Sequence, residues 1–199
     1  MLKTPQSDSE IVIIKRLIGI VFTLWILLYQ WGALAAGPVV QFERLLVDGL
    51  KERPSIYHIL QDHQGFLWFA TQDGLYRYDG CEFKAFRHQQ SQPDSIASND
   101  INSLFEDSDG TLWIGSQNGI SRFNRQTQRF EHFSHQAEVA DSLSNNSVMV
   151  IFQDSDDQLW FGTQHGLNRF NPRSSSFEHF FHDPSIPASL SHNDVRAIA

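Results

Sequence analysis

The sequence predicts an all-β fold, a β-propeller of four-stranded antiparallel blades. The first observation is a repeat: DHQGFLWFATQDGLYRYD, DSDGTLWIGSQNGISRFN and DSDDQLWFGTQHGLNRFN begin at Asp62, Asp107 and Asp154. Their tryptophans, Trp68, Trp113 and Trp160, lie 45 and 47 residues apart. A fixed period in this range is typical of propellers, solenoids and helical arrays. The second observation is that the apolar residues do not recur at helical spacing, which excludes the helical arrays.

One repeat accommodates four short strands and three tight turns. In the third copy, the β-branched and aromatic run VMVIFQD is followed by a turn, LWFGT, a second turn, LNRF, a third turn and FEHF. Short runs of this kind between turn residues predict strands. The first run is apolar at nearly every position, as in a strand covered on both faces, whereas the later strands alternate as outer strands do. Four-stranded sheets at this period predict propeller blades.

Aspartate and glycine mark the turns of each repeat. The aspartate that begins each segment ends the first strand, where its carboxylate can accept hydrogen bonds from turn amides. Gly65 and Gly110 suit a positive φ in the first two copies, and Asp157 takes that position in the third. A glycine two residues after a glutamine makes the second turn, and the tryptophan supplies the large apolar surface that packs one blade on the next.

Residues 1–36 differ in kind from the rest of the chain. Two basic residues precede the apolar run LIGIVFTLWILLYQWGALAA, and Ala33 and Ala35 are spaced like a cleavage site. This pattern predicts a secretory signal peptide cleaved near Ala35; the alternative is an uncleaved membrane anchor, because the run approaches the length that spans a bilayer. Either interpretation predicts that residues 37–199 are exported to the periplasm.

The repeats divide residues 37–199 into three blades and the beginning of a fourth. We place blade 1 at about 41–88, blade 2 at about 95–134, blade 3 at about 141–182 and the start of blade 4 at about 190–199. Val195 and Ile198 match Val148 and Ile151, so the fourth repeat is expected to supply its first strand. Closed propellers contain about 4–8 blades. We therefore expect an incomplete ring, from a fragment of a longer protein or a truncated gene.

Composition argues against two classes of function. The formal net charge is −8, and residues 37–199 carry −9 because residues 1–36 contribute +1. An acidic module repels phosphate backbones, which argues against nucleic-acid binding. The single cysteine, Cys81, cannot form an internal disulfide and is predicted to be a small strand residue.

No motif for catalysis or metal binding is present in the sequence. His132 and His179 recur at the same place in successive copies, which indicates strand-surface residues, and neither H-x-x-x-H nor C-x-x-C spacing exists. The segment from Asp107 to Gly110 is predicted to be a turn, because it lacks the distal glutamate of a calcium loop. No nucleophile motif and no anchored carboxylate pair is visible. We predict no catalytic residue, metal or cofactor in this chain.

Positions that differ between repeats are the candidates for ligand binding, since identical positions maintain the scaffold. On the first strand, which is predicted to be innermost, this set is Tyr57, Asn102, Met149 and Arg196. The alternative interpretation is ordinary variation in packing and solvent contact.

The repeat also resembles a known family. The pattern I-x-x-I-x-x-D-x-x-G-x-L-W-x-x-T-x-x-G-L-x-R-[YF]-[DN], present as IYHILQDHQGFLWFATQDGLYRYD, is similar to the two-component regulator propeller repeat. The resemblance covers residues 41–199. It implies the extracytoplasmic sensory region of a signalling protein anchored in the inner membrane, with a histidine kinase or diguanylate cyclase output module beyond residue 199.

These observations predict a periplasmic sensory module that takes part in two-component or cyclic-di-GMP signalling and catalyses nothing itself. The expected ligand is a small molecule, an oligosaccharide or a protein, and the expected partners include the remaining blades and output domains of the full-length protein. One alternative is a scaffold for protein interaction, including homodimerisation. A second alternative is a propeller enzyme that acts on polysaccharide.

Overall fold

The computed structural model describes residues 54–198, which form three four-stranded antiparallel sheets. The first sheet contains β1 (Ile56–Gln61), β2 (Leu67–Thr71), β3 (Gly74–Tyr78) and β4 (Phe83–Phe86). The second contains β5 (Ile101–Glu106), β6 (Leu112–Ser116), β7 (Gly119–Asn124) and β8 (Arg129–Phe133). The third contains β9 (Val148–Gln153), β10 (Leu159–Thr163), β11 (Gly166–Asn171) and β12 (Ser176–Phe180).

The strands of each sheet follow one another in chain order, so each sheet is a meander and forms one blade. This confirms the predicted all-β propeller architecture with three blades of an incomplete ring. The predicted signal peptide or anchor, residues 1–36, lies outside the described residues. Within residues 54–198, no helix has the length and apolar character needed to span a membrane.

The blades pack through their first strands and their tryptophans. β1 lies against β5, and β5 lies against β9, so the first strands are innermost, as predicted. The Trp68 ring of blade 1 meets the Phe123 ring of blade 2 edge to face, with centroids 5.2 Å apart. Trp113 of blade 2 meets Phe170 of blade 3 at the same separation of 5.2 Å. Both tryptophans are buried, and they therefore provide the predicted contact between blades.

The aspartate that ends each first strand is bound through both carboxylate oxygens. In blade 1, Asp62 Oδ1 accepts hydrogen bonds from the backbone N–H groups of Gln64 and Phe66, as predicted. Asp62 Oδ2 accepts the indole N–H of Trp68 at 2.8 Å, a bond that the sequence analysis did not predict. The same indole bond, at 2.7 Å, recurs in the other two blades. One carboxylate thus shapes the turn and orients the tryptophan.

The turns adopt the predicted backbone conformations in all three copies. Gly65 and Gly110 have φ values of +87° and +77°, and Asp157 has a φ of +59° at the equivalent position. A left-handed backbone is therefore required at this point of the repeat, and an aspartate tolerates it in the third copy.

Cys81 is not a strand residue, and that prediction is wrong. It is exposed in the turn between β3 and β4, where its backbone N–H donates to Asp79 Oδ1 at 2.8 Å. The preceding Gly80 has a φ of +100°. The short polar Asp79 side chain and the glycine favour a turn here, which ends β3 before Cys81 is reached.

The fourth repeat begins where the first strand of a next blade would lie. The Val195 N–H donates to the Thr163 carbonyl at 2.9 Å. Gly162 leaves room for this approach, because a Cβ added there would lie 2.8 Å from Val195 Cγ1. Gly115 admits Val148 of blade 3 in the same way, at 2.8 Å. Residues 194–198 pair in no sheet within the part of the chain that the structure describes, because no second strand of a fourth blade is present there.

One face of blade 1 is open to solvent. Ile56 and Ile59 of β1 are 51% and 54% exposed, whereas Ile101 and Leu104, at the equivalent positions of β5, are 0% and 1% exposed. The preceding blade covers the second pair and no described element covers the first. An apolar face without a partner among the described residues is therefore present on blade 1.

This difference leads to a stability prediction. Leu104→Ala is expected to lower the free energy of unfolding by about 2–4 kcal/mol, because it leaves a cavity in a buried cluster. Ile59→Ala at the equivalent position should cost less than about 1 kcal/mol, because little apolar surface is lost from contact. Urea unfolding of both variants, followed by tryptophan fluorescence, measures the difference. Equal losses would show that another element covers Ile59.

Candidate functional site

The first strand of each blade contains a β-bulge at the candidate ligand position. The register between β1 and β2 shifts between Ile56 and His58, which leaves Tyr57 unpaired. Asn102 and Met149 occupy the equivalent bulges of β5 and β9. Bulges redirect side chains and occur frequently beside binding sites. Three of the four residues selected for their variation between repeats therefore share one geometric position.

Two of the bulge residues meet in a polar cluster that joins blades 2 and 3. Asn102 Nδ2 donates to the Val148 carbonyl at 2.8 Å and lies 3.7 Å from Met149 Sδ. Gln117 Nε2 donates to Asn102 Oδ1 at 3.5 Å, and Ser147 Oγ donates to Gln117 Oε1 at 2.8 Å. We call Asn102, Gln117, Ser147 and Met149 the bulge cluster. It lies where the first strands begin, beside the turn between β6 and β7.

The other two candidates do not join this cluster. The Tyr57 hydroxyl lies 3.5 Å from Gln72 Oε1, and the side chain is 54% exposed on the open face of blade 1. Arg196 is exposed, and its Nε donates to Asp194 Oδ2 at 2.8 Å. Among the described residues, neither side chain forms a hydrogen bond to the bulge cluster.

The glutamines of the Gln-Xaa-Gly turns were not among the predicted site residues. Gln72 and Gln117 contact bulge residues, and Gln164 is exposed at the same position of blade 3. Positions identical in all three copies were assigned to the scaffold, and these glutamines were therefore set aside. A signal was available, because this turn requires the glycine but not a glutamine before it. Repetition of the side chain at an accessible turn indicates a further role.

The bulge cluster has the chemistry of a neutral polar site. It offers two amides, a hydroxyl and a thioether, of which Ser147 is buried and the others are half-buried. Amides can donate and accept hydrogen bonds at the same time, so they recognise ligands that carry hydroxyl or amide groups. The cluster contains no carboxylate and no nucleophile paired with a base. Its arrangement supports binding and offers no group for proton transfer.

The histidines that recur between repeats bind serine hydroxyl or backbone carbonyl groups. His132 Nδ1 lies 3.1 Å from a serine hydroxyl of β7, and His179 Nε2 lies 2.6 Å from a linker carbonyl. In the three linkers, His88, His135 and His182 bind through Nδ1 to the carbonyl eight residues later, at 2.8, 2.7 and 2.5 Å. Within residues 54–198, no three His, Cys, Asp or Glu side chains group as potential metal ligands.

His58, the residue after the first bulge, links blade 1 to blade 2. Its Nδ1 accepts the backbone N–H of Leu104 at 3.1 Å, so the ring is neutral with its proton on Nε2. Burial of the ring lowers the pKa of His58 below its ordinary value of 6.5. The contact between the two innermost strands therefore depends on an unprotonated imidazole.

Comparison with protein families identifies the repeat. The profile described as Two component regulator propeller matches residues 49–73, 95–118 and 142–165. Within the described residues, the matches cover the first two strands of each blade, and the second and third also take in the end of the preceding linker. They contain the bulge residues and the glutamine of each turn. The matched segments thus contain the bulge position of each blade.

Two relatives extend this finding. The crystal structure of the extracellular domain of the hybrid two component system BT3049 from B. thetaiotaomicron superposes with a TM-score of 0.64 and 30% identity, over 71% of this chain and 20% of that chain. Histidine kinase P4 of Formosa agariphila is 41% identical over 51 residues, which are 26% of this chain and 4% of that protein. The chain therefore spans only a small part of either relative.

His58 leads to a prediction of pH dependence. The pKa of His58 is lower in the folded chain than in the unfolded chain. Below pH 6.5 the unfolded chain therefore binds a proton at His58 more readily than the folded chain does. Stability from this residue is present above pH 6.5 and is lost as the pH falls toward the folded pKa. Thermal melting between pH 7.5 and 5 should show this loss in the native chain.

The variant His58→Asn keeps an acceptor for the Leu104 N–H but cannot titrate, so its melting temperature should depend less on pH over this range. His165→Asn, at an exposed histidine, is the matched control and should retain the native dependence. A native pH profile in His58→Asn would contradict the assignment.

Proposed function

We propose that this chain, which carries three repeats of the two-component regulator propeller family, is a non-catalytic sensory module of a membrane-anchored signal-transduction protein. The observation that carries the proposal is its similarity, over 71% of the chain, to the extracellular domain of a hybrid two component system. A propeller blade is a scaffold, and the function depends on the residues that differ between blades.

The module is proposed to lie outside the cytoplasm, in the periplasm. The apolar run in residues 1–36 and the extracellular location of the BT3049 domain support this proposal. Signal output, by a histidine kinase or a diguanylate cyclase, would reside in another part of the full-length protein. The repeats would then pass a binding event to that output module.

The ligand is proposed to bind at the bulge cluster. The side chains there are neutral, hydrogen-bonding and partly accessible, which suits a small molecule, an oligosaccharide or a protein segment with hydroxyl or amide groups. Asn102 already bridges blade 2 to the Val148 carbonyl of blade 3. A ligand that competes for this amide would alter the contact between two blades, which gives binding a structural consequence.

A scaffold for protein interaction is a second candidate, and one observation favours it. Ile56, Tyr57 and Ile59 expose about half of their surface on one strand of blade 1. Adjacent exposed apolar side chains of this size mark contact surfaces in many proteins. The third possibility, an enzyme that acts on polysaccharide, finds no carboxylate in the bulge cluster to support it.

The sensory proposal predicts a ligand whose binding depends on the bulge cluster. Neutral oligosaccharides, amino acids and short peptides are screened by calorimetry against the full chain. Asn102→Ala and Gln117→Ala should each weaken binding of any hit about fivefold, because each removes hydrogen bonding worth about 1 kcal/mol. Gln164→Ala, the equivalent exposed glutamine outside the cluster, is the control and should bind normally.

Binding unaffected by both cluster substitutions would contradict the proposed site. Turnover of a polysaccharide that is abolished by one carboxylate substitution would contradict the non-catalytic proposal.

The scaffold candidate predicts self-association through blade 1. Sedimentation velocity of the full chain should reveal a dimer without added ligand, and Ile59→Ser should shift it to the monomer by removing exposed apolar contact surface. Thr127→Ser, at an exposed turn position of another blade, is the control and should leave the association unchanged. A native chain that remains monomeric at high concentration would contradict this candidate.

A further inference from the structure

An arginine of blade 2 fills the groove between the turns of blades 1 and 2. Arg125 Nη1 donates to Asp62 Oδ2 at 2.8 Å, and Nη2 donates to Glu106 Oε1. Its Nε donates to the Gly110 carbonyl at 3.1 Å, and Gln64 Oε1 lies 3.4 Å from Nη1. The Asp62 side chain is completely buried and Arg125 is 19% exposed. We call this the first groove; its acceptors are arranged around one planar guanidinium.

The same groove between blades 2 and 3 contains the corresponding residues but no arginine at the position of Arg125. In the repeat, the residues that correspond to Asp62, Gln64, Glu106 and Gly110 are Asp107, Asp109, Gln153 and Asp157. The position of Arg125 is taken by Pro172. These five residues of blades 2 and 3 line one cavity of about 160 Å³, which we call the second groove. The molecule therefore contains two versions of one site, one filled by its own guanidinium and one not.

One local hydrogen bond corresponds in the two grooves. The backbone N–H of His63 donates to Glu106 Oε2 at 2.7 Å in the first groove. The backbone N–H of Ser108 donates to Gln153 Oε1 at 2.8 Å in the second. The second groove differs at the other atom of this side chain, because Gln153 Nε2 is a donor and binds the Ser108 hydroxyl at 3.0 Å and the Asp157 carbonyl at 3.3 Å. The acceptors that the second groove offers to a guanidinium are therefore chiefly its carboxylates.

The charges of the second groove favour a cation. Asp107, Asp109 and Asp157 line it together with a single cation, Arg122, which is already paired with Glu131. Among the described residues, Asp107 Oδ2 accepts only the Trp113 indole N–H, whereas Asp62 Oδ2 accepts both an indole and a guanidinium N–H. A carboxylate oxygen has capacity for a second donor.

We propose that the second groove binds a guanidinium group supplied by another molecule, as a free small guanidinium compound or as an arginine side chain of a polypeptide. In the first groove the acceptors come from three separate segments, and the planar fork of Arg125 reaches them together. A compact ammonium presents its donors from one point and matches this arrangement less well. The site is separate from the bulge cluster, at the opposite end of the blades, and does not depend on the sensory proposal.

The test uses L-arginine amide as the probe and the full chain labelled with ¹⁵N. The indole resonance of Trp113 reports on the site, because its N–H donates to Asp107. It should shift and saturate on titration, while the indole resonance of Trp68, whose carboxylate partner is already bound to Arg125, should not. Citrulline amide, a neutral analogue of the same shape, and lysine amide should bind at least about tenfold more weakly. An equal response to citrulline amide overturns the proposal.

Two variants test the location without removing a scaffold residue. Pro172→Arg supplies an internal guanidinium at the position of Arg125 and should abolish the titration. Ser174→Arg adds the same charge at an exposed position of the same turn. It should leave the affinity within about twofold, because an exposed charge interacts weakly with its neighbours. Unchanged binding in Pro172→Arg, with Ser174→Arg also unchanged, overturns the proposal.

The source of the guanidinium is distinguished by a peptide with one arginine flanked by four glycines on each side. Binding at least about tenfold tighter than that of L-arginine amide identifies a polypeptide arginine, since the flanking backbone then adds contacts. Equal affinity identifies a free small guanidinium compound. Failure of both probes to shift the Trp113 resonance refutes the site itself.

Discussion

The hydrogen bond from a tryptophan indole to an aspartate carboxylate is the constraint on which each blade depends. The aspartate ends the first strand, binds the amides of the turn, and holds the tryptophan of the second strand through its other oxygen. The ring so oriented becomes the surface on which the next blade packs, as Trp68 does against Phe123. Trp160 keeps the same bond to its aspartate but remains half-buried, because no described blade lies beyond it.

The close approach of successive blades explains why variable side chains gather at the bulges. Gly115, on the second strand β6, lacks a Cβ where Val148 of the innermost strand β9 packs, so blades 2 and 3 approach closely. Paired residues on such strands have little freedom to vary. A bulge residue leaves the pairing and can change without disturbing it, as Asn102 and Met149 do. The close packing of successive blades therefore leaves one variable position on each innermost strand.

Local patterns in the sequence predicted the blades well, because strands and turns depend on neighbours along the chain. The residues VMVIFQ form β9, and the left-handed backbone at Asp157 is present. Asn102 and Met149 were found by their variation, whereas Gln117 was missed because its role depends on a contact between strands. The bulges were not predictable, since they depend on pairing register. Cys81 was misassigned because the turn between β3 and β4 extends through it.

Because the repeats are similar, the first groove can be compared residue by residue with the second groove. Burial alone would raise the pKa of Asp62, but the Trp68 indole and the Arg125 guanidinium outweigh it and hold the pKa below its usual value. The first groove therefore remains an ion pair at neutral pH. In the second groove, glutamine replaces glutamate and proline replaces arginine at corresponding positions, so an amide–serine contact replaces the ionic one. Residue changes at corresponding positions thus alter the contacts within a groove, while the tryptophan packing of one blade on the next stays the same.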